Sequence, residues 1–129
     1  MATIRRFEDL EIWQQARVLC QNIFRLTQKE FFRKDFSLID QIKRSSGSAM
    51  DNIAEGFERD GNKEFIYFLG VAKGSAGESR SQLYRAFDQG YITQDEFDQG
   101  YDQCIRLSKQ IKSFSDYLKK SEIKGQRFK

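Results

Sequence analysis

Four stretches of the chain repeat apolar residues at steps of three and four, and the sequence contains no proline to interrupt them. That spacing is the period of an amphipathic helix, whereas the period-two alternation of a half-buried strand does not persist over any useful length. We therefore expect a single domain over residues 1–129 with an all-α fold, an antiparallel up-down-up-down four-helix bundle. The predicted helices span residues 8–30, 36–57, 62–89 and 93–119, and a basic tail follows over residues 120–129.

Small side chains dominate residues 45–57, at the end of the second predicted helix, and they recur in the middle of the third, around residues 70–77. A mid-helix glycine such as Gly47 costs about 1 kcal/mol relative to alanine, and a close crossing of the two helices would offset that cost. We expect the two small faces to pack against each other or to receive a neighbouring subunit.

Polar residues lie at the end of this segment of small side chains. Because buried charges are retained only when they are paired, we interpret Glu55 and Glu78 as buried hydrogen-bond partners, with Asn52 in the same cluster. Gly56 is expected to stop the second helix. The predicted structural signature therefore consists of Asn52, Glu55, Gly56 and Glu78.

The ends of the later helices carry recognisable local signals. Thr93 and Glu96 have the spacing of a capping box at the start of the fourth helix. Asn62 is expected to cap the start of the third helix, and Gly90 to terminate it.

Aromatic residues are expected to belong to the core. Trp13 and Phe24 widen the apolar stripe of the first helix, and Phe31 with Phe32 is expected to cover one end of the core.

Residues that carry common chemistry are missing from the sequence. The chain has no histidine, which is the commonest general base and part of the Glu-x-x-His ligand pairs of di-metal bundles. No phosphate-binding loop or nucleophile elbow is present. We therefore expect no catalytic residues, no metal, no cofactor and no enzymatic activity. A nuclease is the alternative, and it would require a divalent metal at Glu55, Glu64 or Glu78.

The two cysteines, Cys20 and Cys104, each lie in an apolar helical pattern and lack metal-ligand spacing. We expect buried free thiols rather than a disulfide.

Positive charge is concentrated towards the end of a chain whose net charge is +3 and whose pI is near 8.9. Residues 106–129 include eight bases and two acids, whereas residues 88–102 include five acids and no base. Arg106, Lys109 and Lys112 follow one another at steps of three on roughly one helix face, and Lys43 and Arg44 form a second basic group. These five residues are candidates for binding nucleic acid through phosphate and shape. The alternative is a solvated basic face without a ligand.

The expected location is the cytoplasm, without a membrane. No apolar run approaches the ~20 residues that a membrane-spanning helix needs. The N-terminal residues are followed by acids and not by the apolar region of a signal peptide.

Six short motifs occur in order along the chain, and together they resemble one known family. The most specific is Asn52-Ile53-Ala54-Glu55-Gly56, followed later by Ala72-x-Gly74-Ser75-x-x-Glu78. The others are Phe7-x-x-Leu10-x-x-Trp13-x-x-Ala16, Gln41-Ile42-Lys43-Arg44, Lys63-Glu64-Phe65-Ile66-x-Phe68-Leu69 and Gly90-Tyr91-Ile92. Over residues 7–118 the chain resembles the 23S rRNA intervening-sequence proteins, a bacterial four-helix-bundle family related to the retroelement accessory variability proteins.

The resemblance implies an up-and-down bundle that assembles as a homopentamer. For the retroelement relatives it implies a basic surface that binds nucleic acid and the reverse transcriptase. We therefore expect a non-enzymatic oligomeric protein that binds nucleic acid, RNA or DNA, with RNA as the first candidate. The alternative is an adaptor that binds a protein partner and no nucleic acid.

Overall fold

The structure is a computed structural model that describes residues 4–123, the last two by their backbone alone. Its regular structure consists of four long helices and two short 3-10 turns. The helices are α1 (Glu11–Thr27), α2 (Phe36–Glu58), α3 (Asn62–Asp88) and α4 (Gln94–Ile123), and the 3-10 turns are Phe7–Asp9 and Phe32–Lys34.

Each helix packs against the next one in the chain, and α4 returns to pack against α1. The most extensive contacts join α2 to α3 and α3 to α4, whereas α2 and α4 lie diagonally opposite each other. These packing pairs fit the up-down-up-down arrangement. The predicted all-α four-helix bundle is therefore confirmed.

The helix ends differ from the predicted ones by more than one residue in three places, one of which is the end of α1, at Thr27 and not at residue 30. The first helix was expected from residue 8, but Leu10 is extended (φ −75°, ψ 126°) and separates the short turn Phe7–Asp9 from α1. At the other end α4 runs to residue 123, beyond the predicted boundary at 119. Leu118 and Ser121 are buried there, so the last turns pack on the bundle and the helix continues. The rest of the predicted basic tail, residues 124–129, lies outside the described residues.

The apolar stripe of α1 enters the core as its spacing predicts. Every member of that stripe is buried, namely Ile12, Ala16, Leu19, Ile23 and Leu26.

Small residues form the crossing of α2 and α3, as predicted from their size. Ala49 of α2 and Ala72 and Ala76 of α3 are fully buried. Ser48 accepts a hydrogen bond from Ser75 across this interface, with 2.9 Å between the two Oγ atoms. The small side chains allow the two helix backbones to approach closely.

The glycines of this region do not occupy that crossing, contrary to expectation. A Cβ atom added at Gly47, Gly70, Gly74 or Gly77 would meet no other atom within 4 Å. Gly70 and Gly74 are exposed on the outer side of α3. Their cost in helix stability is therefore not offset within the single chain.

Gly56 has a different role from the predicted helix stop, because α2 continues past it to Glu58. A Cβ atom at Gly56 would lie 2.8 Å from the Cβ of Phe68 and 2.9 Å from Cδ1 of Phe65. Gly56 therefore permits the close approach of α3 at this end of the bundle.

The capping box at the start of α4 is confirmed. The backbone N–H of Glu96 donates to the Thr93 hydroxyl at 3.1 Å, and the backbone N–H of Thr93 donates to the Glu96 carboxylate at 2.8 Å. The two side chains satisfy two of the otherwise unpaired donors of the helix start.

The predicted end of α3 is also confirmed, and the helix begins at residue 62 as predicted, but Asn62 does not cap it. Gly90 has φ +77°, and the N–H of Tyr91 donates to the carbonyl of Ala86 at 2.9 Å. This is the glycine-terminated helix end that the sequence indicates. At the other end, Asn62 is the first residue of the helix and is buried, and Gly61 takes the capping position instead.

Candidate nucleic-acid interface

The basic residues predicted on the fourth helix lie on its outer side. Arg106, Lys109 and Lys112, here called the α4 basic stripe, are all exposed. At about 100° per residue they spread over roughly 120° of the helix circumference. Arg106 lies at the α1 edge, in a shallow hollow with Gln15 and Val18. Lys112 lies at the opposite edge, towards α3.

The cations of the α4 basic stripe differ in their neighbours. Lys112 is paired with Asp116, with 3.2 Å between Nζ and the nearer carboxylate oxygen. Within residues 4–123 the structure gives neither Arg106 nor Lys109 a carboxylate partner. Within the α4 basic stripe, Arg106 and Lys109 are therefore better placed than Lys112 to meet an external phosphate.

The predicted pair Lys43 and Arg44 is separate from the α4 basic stripe. Both residues are exposed on α2, the helix diagonally opposite α4. Arg44 is paired with Asp40 at 3.1 Å, and the ammonium group of Lys43 lies 5.5 Å from the ring centroid of Phe24. The five predicted residues therefore form two surfaces of the single chain and not one.

Exposed phenylalanines beside the α2 pair were not predicted. Phe24 of α1 is 54% exposed, Phe31 of the connecting segment 60% and Phe36 of α2 79%. Phe24 was expected to widen the core stripe, but it follows the buried Ile23 by one residue and therefore points about 100° away from it. That offset is the sequence signal that could have identified it.

Only one of the two phenylalanines predicted to cover the end of the core does so. Phe32 is fully buried and stacks on Tyr91, with 5.2 Å between ring centroids. Tyr91 in turn donates a hydrogen bond to the carboxylate of Asp35 at 2.9 Å. These contacts anchor the connection between α1 and α2 and leave the neighbouring Phe31 outside.

The predicted polar cluster of the structural signature does not form in the single chain. Glu55 is exposed and pairs at 2.7 Å with Arg59, one turn later on the same helix. Asn52 is half-buried and donates to the carbonyl of Ser48 at 2.8 Å. Glu78 is exposed on the outside of α3. The carboxylates remain in water because the small inner face of these helices is completed by serines and alanines.

The buried polar group of the α2–α3 crossing consists of neutral residues that sequence reasoning did not single out. Ser45 donates to the side-chain carbonyl of Gln82 at 2.6 Å and lies 2.7 Å from the hydroxyl of Ser79. All three residues are buried. Neutral hydroxyl and amide groups can satisfy one another without the desolvation cost of a charge.

A groove runs along the surface between α3 and α4. It encloses about 660 Å³, and its lining includes the exposed aromatic ring of Tyr67 together with Gly70 and Val71 of α3. Lys73 and Lys112 belong to its lining as well. The groove therefore combines apolar surface with positive charge.

Side chains that could bind a metal ion do not cluster in the described part of the chain. Across residues 4–123 no three carboxylate or thiol groups gather into a set that could hold a metal ion. Of the glutamates considered for a metal, both Glu55 and Glu64 lie near the guanidinium of Arg59.

Both cysteines are free, as expected, but only one is fully buried. Cys104 is enclosed, and burial raises the pKa of its thiol to about 12, with a smaller opposing effect from the charge of Arg80. Cys20 is half-buried and donates to the carbonyl of Ser46 at 3.2 Å. Burial also raises the pKa of the Cys20 thiol.

The helices of residues 4–123 differ from membrane-spanning segments. None of them combines the length and the apolar character needed to cross a bilayer.

Comparison with solved structures identifies the same architecture elsewhere. One match is the crystal structure of a protein with unknown function from the S23 ribosomal protein family of Bacteroides thetaiotaomicron VPI-5482. The TM-score is 0.74 at 22% sequence identity, and the alignment covers 81% of this chain and 97% of the other. At this identity the likeness concerns the fold alone. The search among curated proteins found no match.

A protein-family model matches most of the sequence. The family model described as "23S rRNA-intervening sequence protein" matches residues 8–113. This range contains the capping box of α4, the α2–α3 crossing, the pair Lys43 and Arg44, and all of the α4 basic stripe. The chain therefore belongs to the 23S rRNA-intervening sequence protein family.

Proposed function

We propose that this protein is a non-enzymatic, oligomeric bundle that binds nucleic acid, with RNA as the first candidate ligand. The observation that carries the proposal is the exposure of Arg106 and Lys109 on the outer side of α4, where no carboxylate of the described chain neutralises them. Cations in this situation can exchange counterions for phosphates, which is the main source of affinity in sequence-independent binding. The family name refers to an intervening sequence of 23S rRNA, and a structured RNA is therefore the first ligand to test.

The test measures the binding of a structured RNA over a series of salt concentrations. We expect the binding constant of the wild-type chain to fall steeply with salt. Replacing both Arg106 and Lys109 by glutamine should weaken binding and flatten the slope of log K against log salt by about 0.7–0.9 for each phosphate that the variant no longer neutralises. Charge reversal to glutamate should weaken it further.

A matched control removes a positive charge elsewhere. Lys63 is exposed at the start of α3, outside both basic surfaces, and Lys63→Gln should leave the salt slope unchanged. Binding that is absent, or that does not respond to salt, would contradict the proposed function.

The oligomer is part of the proposal. We expect a homopentamer in solution, as the family resemblance implies. Repeating the α4 basic stripe around such a ring would concentrate positive potential and thereby favour the binding of phosphates. Native mass measurement or sedimentation equilibrium should report five copies. A monomer at micromolar concentration would contradict this part and leave RNA binding to be judged by its own assay.

A protein-interaction adaptor is the second candidate function. The α3–α4 groove favours it, since the apolar lining and the exposed Gly70 and Gly74 would permit another protein to approach the helix closely. After nuclease treatment, a stoichiometric partner should be retained by the wild-type chain and lost from a Gly70→Glu variant. Loss of that partner on nuclease treatment would instead indicate binding bridged by nucleic acid.

The cytoplasm is the proposed location, where RNA would be accessible. Fractionation of cells that express the native protein should recover it with the cytosolic proteins. Recovery with the membranes or outside the cell would contradict this assignment.

A further inference from the structure

The surface around Lys43 combines exposed aromatic rings with positive charge. It consists of Phe24 of α1 and Phe36, Ile39, Lys43 and Arg44 of α2, and is called the aromatic–basic face below. The α2 residues, together with Asp40, line a shallow hollow of about 320 Å³. Phe24 joins them through Lys43, whose ammonium group lies 5.5 Å from the centroid of the Phe24 ring.

The connection between α1 and α2 adds a second aromatic–cation pair beside this face. The ammonium group of Lys34 lies 5.9 Å from the ring centroid of Phe31. Phe31 is exposed, and so is the neighbouring Arg33. The connection therefore exposes a further ring together with two cations, Arg33 and Lys34.

Two acidic residues near this face, Asp35 and Asp40, are occupied by other contacts. Asp35 accepts hydrogen bonds from the backbone N–H of Leu38 at 3.0 Å and from the Tyr91 hydroxyl at 2.9 Å. Asp40 is paired with Arg44. The ammonium groups of Lys34 and Lys43 meet aromatic rings and no carboxylate of the described chain. The face therefore retains positive charge that a phosphate could neutralise.

The composition of the face favours one class of ligand over another. The centres of protein–protein interfaces are depleted in lysine, yet Lys43 lies between Phe24 and the hollow. Proteins that bind single-stranded nucleic acid combine basic residues along the backbone with aromatic rings on which unpaired bases stack. In a duplex the base faces are already stacked on one another and are not available to exposed phenylalanines.

We propose that the aromatic–basic face binds single-stranded nucleic acid, with unpaired bases stacked on Phe24 and Phe36 and phosphates held by Lys43 and Arg44. The inference rests on the proposed function, which it makes specific to unpaired strands and to this end of the bundle. Arg44 would exchange Asp40 for a phosphate. The α4 basic stripe would contact phosphates alone and would not distinguish a single strand from a duplex.

The experiment compares oligouridine with an RNA duplex of the same length, both labelled for fluorescence anisotropy. The test variant is Phe24→Leu with Phe36→Leu, which preserves apolar character and removes the flat rings. We expect oligouridine to bind roughly ten-fold more weakly for each ring removed, and the duplex to bind as it does to the wild-type chain. The salt slope should stay the same for these variants, whereas Lys43→Gln should flatten it by about 0.7.

Tyr67 provides a matched control, since it is an exposed aromatic residue of α3 (66% exposed) outside the face. Tyr67→Leu should leave oligouridine binding unchanged. Because all three rings are exposed, circular dichroism and thermal unfolding should show that the variants fold like the wild-type chain.

The outcomes separate this inference from the proposed function. If oligouridine binding is unaffected by the leucine variants but weakened by the Arg106 and Lys109 changes, nucleic-acid binding stands and the aromatic–basic face is not its single-strand site. If the leucine variants lower the oligomeric mass and leave oligouridine binding intact, the face is a subunit contact and the inference is wrong. If the wild-type chain binds neither RNA, both proposals fail.

Discussion

The hydroxyl of Ser45 on α2 lies 2.7 Å from the hydroxyl of Ser79 on α3, in the buried interior of the bundle. When Ser45 donates its single proton to Gln82, with 2.6 Å between the two oxygens, Ser79 is the donor in the first contact. Ser45 thereby links two side chains of α3 to one position of α2. The hydrogen bonds fix how the two helices are aligned along their axes, a specificity that apolar contacts alone provide less well.

Ser45→Ala should lower the free energy of unfolding by about 1–3 kcal/mol, because it leaves the buried Gln82 oxygen and the Ser79 hydroxyl without this partner. Urea unfolding monitored by circular dichroism measures the effect. The control is Ser81→Ala on the exposed side of α3, which should change stability by less than about 0.5 kcal/mol. Equal effects of the two substitutions would show that the buried hydrogen bonds contribute nothing.

A buried glycine, Gly56, and an exposed one, Gly74, can be compared in the same way as the two serines. Gly56→Ala should destabilise the protein by about 1–3 kcal/mol, because the added methyl group would lie 2.8 Å from the Phe68 Cβ atom and force the helices apart. Gly74→Ala has open space around it and should stabilise the protein by about 0.5–1 kcal/mol through its helix propensity. Chemical denaturation of both variants tests the pair.

The sign of the Gly74 effect carries additional information. If Gly74→Ala destabilises the protein in its oligomeric state, the outer side of α3 is covered by another chain. If Gly56→Ala is neutral, the close approach of α3 at Gly56 is not a constraint on the fold.

The free energy of unfolding should decrease in acid, because the Glu96 carboxylate becomes protonated. Burial alone would raise the pKa of its carboxyl, but the hydrogen bonds from Lys29 and from the Thr93 backbone outweigh burial and hold the pKa below its usual value. The unfolded chain therefore takes up the proton first as the pH decreases. The stabilisation is complete above the unfolded pKa of about 4.3 and is lost as the pH falls through the lower pKa of the folded state.

A double-mutant cycle of Lys29→Met and Glu96→Gln isolates this contact. We expect a coupling of up to about 1 kcal/mol near neutral pH, the range for partly exposed pairs. The coupling should decrease as the pH is lowered past the pKa of Glu96 in the folded chain. Coupling that stays constant down to the acid unfolding transition would contradict the assignment of Glu96 as the titrating group.

The two thiols should react at very different rates with a thiol reagent. With a pKa of about 12, Cys104 is ionised at pH 8 in only about one molecule in ten thousand, and its burial blocks access as well. Cys20 is half-buried and should react first. In a Cys20→Ser variant we expect labelling only at the rate at which the bundle opens, whereas Cys104→Ser should retain the faster reaction. Similar rates in both variants would contradict the burial of Cys104.

Much of the fold could be predicted because local patterns determine helices. The stripe from Ile12 to Leu26, the capping box at Thr93 and the terminating Gly90 each depend on residues within a few positions of one another. Tertiary packing did not have to be known to place them. The end of α4 was misjudged because Leu118 and Ser121 are held by the rest of the bundle, which no local pattern reports.

The candidate sites could be predicted only in part, since a site depends on which residues become neighbours in space. The basic residues Lys43, Arg44, Arg106, Lys109 and Lys112 were correctly expected on exposed helix faces. Their division between diagonal helices follows from the order in which the helices pack. The exposed rings beside Lys43 escaped notice because phenylalanine is usually buried.

By itself, the sequence determined that the chain folds into four helices, where most of them begin and end, and that small side chains are concentrated in α2 and α3. These properties follow from side-chain size and apolar periodicity along the chain. Only the tertiary structure decided which small residues face inward and which polar groups are buried. Serines and alanines fill the crossing, the glycines at 70 and 74 face outward, and Glu55 and Glu78 remain in water. The physical reason is that burial depends on the rotation of each helix about its axis, and packing of the whole bundle sets that rotation.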